Sequence, residues 1–249
     1  REAAVKALRL DESLGSAHSA LGMVRTFEGD WAGAEKQFRR AFELNPNDAE
    51  AHRRYSHLLA ALGRHSEATA AARRAQQLDP RSPFVNHNLT WIFYFARDYE
   101  RAVEADKKTL ELAPNLALPH FMLAFLYDQK GQAEKAWEHW LLAVGYSGAG
   151  PELVAALRAV YARSGSRAAL RKWAEHNEKK ARERGFVLNS SLAAAYARLN
   201  EKEKAMEWLE KSFESRTRDL IFLNVEPQYD NLRSDPRFQD LVRRVGLPR

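Results

Sequence analysis

One pattern that returns every 34 residues constrains this 249-residue chain more than any other feature. Ala34, Ala68, Ala102 and Ala136 fall on one phase of it, and Pro46, Pro80 and Pro114 on another. Leu21, Tyr55, Leu89 and Leu123 keep step in chemical type, each followed by a small residue: Gly22, Ser56, Thr90 and Ala124. Within each period two apolar stripes of helical spacing flank a short turn such as "FEGD", "ALGRH" or "DQKGQ". Two antiparallel helices explain the pattern. Small residues at the crossing let the backbones approach, bulky ones fill the flanks, and the proline ends the second helix because it cannot continue it. A hairpin of this kind buries its remaining apolar face only against its neighbours, so the expected fold is an all-α solenoid of stacked hairpins with one continuous core.

Composition agrees and narrows the function classes. Twelve glycines and nine prolines are few for this length, and 45% hydrophobic residues suffice for a large core. With no cysteine, disulfides, thiolate metal ligands and cysteine nucleophiles are excluded. No apolar run is long enough to span a bilayer, and the first residues lack the layout of a signal peptide; a cytoplasmic setting is expected because it fits a chain without cysteine. The net charge of +6 is spread thinly and does not itself indicate nucleic acid.

These residues resemble the tetratricopeptide repeat family, and the resemblance implies an all-α, right-handed superhelical solenoid of about six hairpins. The match is good for residues 15–48, 49–82, 83–116 and 117–150, giving four regular repeats over 15–150. It weakens at 151–185, where Leu157 and Tyr161 fit but Leu170 stands at an alanine position, and it recovers at 186–219 with Ala205 in the small position. Residues 151–219 are thus read as one irregular and one regular repeat. Residues 1–14 read as the second helix of a preceding repeat, so the chain is expected to start in mid-repeat as a C-terminal fragment of a longer protein. The connector "GYSGAGPEL" replaces the "ELNPN" type between repeats four and five, which suggests a looser turn or a hinge.

Motifs of chemistry are missing. There is no HExxH pair, no phosphate-binding glycine loop and no GxSxG elbow, so neither catalysis nor a cofactor nor a metal is expected. His18, His52 and His120 recur at one repeat position and are read as packing residues.

What the resemblance implies is a partner-binding groove on the first helices of successive hairpins. Carried over residue by residue, the groove positions are Arg53, Arg54 and His57 in repeat two. In repeat three they are Phe84, His87, Asn88, Trp91, Tyr94 and Phe95; in repeat four, Leu118, Phe121, Met122 and Phe125. The expectation is an aromatic wall beside a basic entrance, suited to a protein or peptide with apolar anchors and an acidic group. Some members clamp a C-terminal carboxylate; Arg53 and Asn88 stand at compatible positions, whereas His57 stands at a third where asparagine is usual, and Leu118 and Met122 replace the further cations.

Two basic segments stand apart. The stretch 167–185 holds seven basic and three acidic side chains, with Leu170, Trp173, Ala174, Asn177 and Ala181 on or near its inward stripe. It is the basis of an alternative nucleic-acid-binding reading, though it lacks the interleaved aromatics of a single-strand platform. The tail, 220–249, carries an Asp235–Pro236 helix start, an apolar stripe of Phe238, Leu241, Val242 and Val245, and a Gly246 stop. It is expected to cap the last repeat. Its wording also resembles the close of tetratricopeptide regions in bacterial signalling proteins, where such repeats follow a winged-helix regulator, a serine/threonine kinase or a nucleotide cyclase.

Overall fold

The computed structural model describes residues 1–184 and 189–247, the side chain of residue 184 excepted. The expected boundary between repeats five and six, and Gly185 at the end of the basic stretch, lie outside the described residues. Among the described residues every regular element is helical. They form two compact units, residues 1–115 and 116–246, a division that falls inside the expected run of four regular repeats.

The first unit contains α1 (Glu2–Leu10), α2 (Gly15–Phe27), α3 (Trp31–Leu44), α4 (Ala49–Ala61), α5 (His65–Leu78), α6 (Pro83–Phe95) and α7 (Tyr99–Leu112). Helices α2 and α3, α4 and α5, and α6 and α7 form antiparallel hairpins, and the first helices stack, α2 on α4 and α4 on α6. The small residues do what their spacing implies. Ala34, Ala68 and Ala102 have no exposed surface, and neither do Ser56 and Thr90. At Gly22 a Cβ would come within 3.0–3.1 Å of three ring atoms of Phe38, so α2 and α3 cross as closely as a glycine allows. Phe38 then fills a cluster with Ala34 and Leu58, flanked by Met23, Trp31, Phe42, Tyr55 and Leu62.

The turns inside the hairpins follow the same 34-residue step. Gly29, Gly63, Arg97 and Gly131 all adopt positive φ, at 74°, 71°, 63° and 70°. Each ends its helix with a left-handed residue, and the next N–H returns to the helix: Asp30 donates to Arg25 O, Arg64 to Leu59 O and Asp98 to Phe93 O, all at 2.9 Å. Arg97 holds, without glycine's freedom, the conformation its glycine counterparts adopt at little steric cost. Between hairpins, Asp48 and Ser82 cap α4 and α6 by accepting from Ala51 N and Val85 N. His18 and His52 bind the connector carbonyls of Glu12 and Pro46 through Nε2, at 3.0 and 2.9 Å, which makes their recurrence structural.

The second unit begins with the hairpin α8 (Ala117–Gln129) and α9 (Ala133–Tyr146), followed by α10 (Pro151–Arg184). Helix α10 is broken at Gly165, whose φ of 77° and ψ of −179° are not helical. Gly165 is the next member of the series 29, 63, 97, 131, so the break is the turn of repeat five, shortened. In the other hairpins a second non-helical residue follows, such as Asp30 (ψ 73°) or Gln132 (ψ 67°). Here Gly165 alone breaks the helix. The following helix therefore starts one residue early, and fully buried Ala169 takes the crossing position instead of Leu170. Stacking of Trp137 on Tyr161 (4.0 Å between centroids) and an edge contact of Trp140 with Trp173 (6.2 Å) join α9 to both arms of α10.

Helices α11 (Asn189–Arg198) and α12 (Lys202–Glu214) form the last regular hairpin, turning at Asn200 with φ 60°. Two 3-10 segments, Arg218–Phe222 and Pro227–Leu232, lead to α13 (Pro236–Val245). The tail proves to be a reduced continuation of the repeat. Pro236 opens α13 34 residues after Lys202 opens α12; α13 packs on α12, and the segment Pro227–Leu232 packs on α11 where a further first helix would lie. Phe238, Leu241 and Leu232 are buried, and Asp235 and left-handed Gly246 (φ 79°) cap the helix as expected. The C-terminal capping helix is therefore real.

Candidate functional site

In the first unit, α4 and α6 lie side by side, so Arg53 and His87 share one repeat position, as do Arg54 and Asn88, and His57 and Trp91. On α4 the Glu50 carboxylate accepts two bonds from Arg53 at 2.6 Å and one from Arg54 at 2.9 Å. Arg54 also donates to Ser19 Oγ on α2 at 3.0 Å. Burial pushes the Glu50 carboxyl up, but the two guanidinium groups outweigh it and hold it below the usual range. Two cations share one anion, leaving one surplus positive charge. The arginine side chains stay 24% and 25% exposed.

His57 binds Asn88 Oδ1 through Nε2, and Asn88 in turn donates to Ser56 Oγ at 2.9 Å. Burial first, and then the charge of Arg53, push the His57 pKa down to about 4. It is neutral at physiological pH, so its Nε2–H donates to the amide oxygen. An expected member of the basic entrance thus carries no charge, and Asn88 is buried in the hydrogen bonds that join α4 to α6.

Along α6 the stripe runs from open to closed. Phe84 is 65% exposed, Trp91 is half-buried, and Tyr94 and Phe95 are 1% and 3% exposed. Trp91 packs edge-on to Tyr94 (5.9 Å) and against Phe95 (5.5 Å), so the two inner rings support the outer one. His87 is buried between helices, bound to Asp106 on α7 at 2.7 Å, and its other ring nitrogen receives the Trp91 indole N–H at 3.0 Å. A histidine beside a carboxylate suggests a catalytic base, but here the indole covers the nitrogen that would act. Of the nine first-unit residues in the expected groove, Phe84, Trp91, Arg53, Arg54 and His57 retain accessible surface; His87, Asn88, Tyr94 and Phe95 are core.

In the second unit, Phe121 and Phe125 are half-buried and Met122 is buried. The Arg198 guanidinium from α11 lies 4.7 Å from the centre of the Phe125 ring and donates to Asp128 at 2.9 Å. One side of Phe125 is thereby occupied by the chain's own cation. His120 and His139 face each other through Nδ1 at 2.9 Å, and burial with the neighbouring imidazole pushes His139 down to about 4.

The basic segments are more neutral than their sequence implies. Arg171 pairs with Glu201 at 2.6 Å and Arg182 with Glu178 at 2.6 Å, while Trp173, Ala174 and Ala181 are buried as the stripe predicts. In the tail, Arg237 and Arg244 make paired bonds to Glu203 and Glu210 of α12, each between 2.7 and 2.9 Å. Arg233 donates to three carbonyls, those of Leu223, Asn224 and Glu226. These arginines clamp the cap. Among the described residues no group of three or more metal-ligating side chains occurs, and no helix is long and apolar enough to cross a membrane.

Hairpins of this length, with small residues at their crossings and first helices carrying a partly exposed stripe, define a helical-repeat fold. The tetratricopeptide repeat family matches residues 28–85, and a second profile of the same description matches residues 188–218. A curated relative, anaphase-promoting complex subunit 3 of Schizosaccharomyces pombe, is 25% identical over 156 residues, 60% of this chain. The chain spans 22% of that relative's length. Among solved structures, PilF of Pseudomonas aeruginosa is similar with a TM-score of 0.53 and 20% identity, covering 89% of this chain and 85% of that one. MamA is similar with a TM-score of 0.50 and 20% identity over 59% of this chain and 85% of that one. These likenesses show the fold.

Proposed function

We propose that the α4–α6 face of the first unit binds a partner protein through an extended or helical peptide that carries an apolar anchor next to an acidic group. The observation that carries this reading is Phe84, 65% exposed at the head of a stripe that continues into Trp91. Rigid aromatics supply contact area at small entropic cost, and Arg53 and Arg54, with one surplus positive charge beside them, supply the acidic preference. The reading is non-catalytic. Selection of a random peptide library on the whole chain, followed by measurement of each selected sequence on Phe84→Ala, Trp91→Ala and Arg53→Glu, tests it. Acidic–apolar sequences that bind the parent and lose at least tenfold on Phe84→Ala or Arg53→Glu support the reading; sequences indifferent to all three substitutions reject it.

We further place the chain in a larger, cytoplasmic bacterial regulatory protein. The support is the resemblance of "LEKSFESRTRDLIFLNVEPQYDNLRSDPRFQDLVRRVGLP" to the close of repeat regions that follow winged-helix, kinase or cyclase modules. The neighbouring genomic sequence tests it, since none of those modules beside this chain would remove the support.

A second reading rests on Lys172, Lys179 and Lys180, whose charges, after burial, lower the pKa of His176 on the second arm of α10. Such a cluster suits an anionic backbone. Titration with labelled DNA and RNA at two salt concentrations distinguishes the two readings, because phosphate contacts weaken steeply as salt rises.

A further inference from the structure

Asp106 is a carboxylate with no exposed surface, placed on α7, the second helix of repeat three. The hairpin itself does not require a charge there: the same position is fully buried Ala72 in repeat two and Trp140 in repeat four. Burying an ionised carboxylate is unfavourable unless hydrogen bonds compensate it, so its partners matter. Oδ1 accepts from Thr90 Oγ1 at 2.7 Å and from His87 Nδ1 at 2.7 Å. On the far side of that imidazole, Nε2 lies 3.0 Å from Trp91 Nε1.

The direction of these bonds follows from chemistry. An indole N–H can only donate, so His87 Nε2 must present its lone pair. The ring proton must then sit on Nδ1, where an ionised carboxylate can only accept. Both ends demand the same tautomer, and they form a chain: Asp106 to His87 to Trp91.

We propose that Asp106 and His87 are positioning residues for the binding face: the carboxylate fixes the tautomer and orientation of the imidazole, which holds the Trp91 indole at the angle it presents between Phe84 and the inner rings. A held indole loses less freedom on meeting a partner than a free one, so the chain pre-organises the surface. Only the functional consequence rests on the partner-binding reading above; the relay itself is a property of the free protein.

The test therefore begins without a partner. Nuclear magnetic resonance of the uniformly ¹⁵N-labelled chain is expected to show His87 protonated on Nδ1, with a scalar coupling across the hydrogen bond between Trp91 Nε1 and His87 Nε2. Asp106→Ala installs the residue that repeat two already tolerates, and is expected to abolish that coupling and speed Trp91 indole exchange with solvent about tenfold. Thr90→Val removes the other bond to the carboxylate and is expected to leave the coupling in place. Protonation of wild-type His87 on Nε2, or no coupling to Trp91, overturns the proposal even if Asp106→Ala fails to fold. Unchanged indole exchange in a folded Asp106→Ala chain overturns it as well. With a selected acidic–apolar peptide, Asp106→Ala should weaken binding about tenfold in the parent and by much less in a Trp91→Ala background. Equal losses in both backgrounds would overturn the link to binding. A confirmed coupling with peptide binding indifferent to Trp91→Ala would instead reject the binding face and leave the relay standing.

Discussion

Leu241→Ala tests what the tail does. Leu241 has no exposed surface, and α13 lies on α12 with Phe238 buried beside it and Tyr229 at 6.0 Å from the Phe238 ring. Removing three carbon atoms forfeits about 2 kcal/mol of transfer free energy, and the cavity left in a clamped helix raises the expected loss to about 2–5 kcal/mol. The loss should be local, because in stacked hairpins each neighbour supports the next. Native-state hydrogen exchange is the appropriate assay, since a repeat array need not unfold in one step. Amides of α11, α12 and α13 should open more easily by that amount, with α2–α5 unchanged. Arg243→Ala, at an exposed pair with Asp240, serves as the control and should change stability by less than about 0.5 kcal/mol. If Leu241→Ala protected α12 as well as the parent does, the tail would not be a cover.

Other expectations follow from single positions. Gly22→Val places methyl groups where a bare Cβ already meets Phe38 at 3.0 Å, and should lower stability of the first unit by about 1–3 kcal/mol in urea unfolding. Gly165→Ala puts a side chain at φ 77° and should cost about 1–2 kcal/mol, seen as faster exchange in α10. His57 and His139 titrate at about 4 in the fold against 6.5 in the unfolded chain, so below pH 6.5 the unfolded chain binds the extra proton. Stability contributed by each neutral imidazole is complete above pH 6.5, falls as pH drops, and is gone near pH 4, a loss of at most about 3 kcal/mol per residue. His57→Gln should accordingly flatten the stability profile between pH 6.5 and 5.

Much of the fold was legible because hairpin packing acts through identity at fixed spacing. A crossing that admits only Gly22, Ser56 or Thr90, and a second helix that ends before Pro46 or Pro80, leave marks in any copy of the repeat. The turn glycines were equally visible at 29, 63, 131 and 165, and they locate the fifth hairpin that the alanine series loses at Leu170. What hides it is a one-residue shortening after Gly165, which moves the small position to Ala169. The tail looked unrelated because its first helix is reduced to 3-10 segments, although Pro236 keeps the 34-residue step from Lys202. The groove was harder to read. Repeat position tells which face a residue lies on, but not how deep: Tyr94 and Trp91 share the stripe, and only the fold shows that one is core and the other half-open. Nor does charge in a sequence reveal its partner, as Arg237 and Arg244 show by pairing with Glu203 and Glu210. Asp106, surrounded in sequence by ordinary helix surface, gave no sign that it faces His87.

The central claim is that partners meet this protein on the α4–α6 face. A photo-reactive benzoylphenylalanine placed at Phe84, or separately at Tyr146, which is 44% exposed in the second unit, compares two accessible aromatic positions in the whole chain. Irradiation with a selected acidic–apolar peptide should give adducts from position 84 that excess unlabelled peptide suppresses, and few from position 146. Adducts from 146 alone, or equally from both, would contradict the claim.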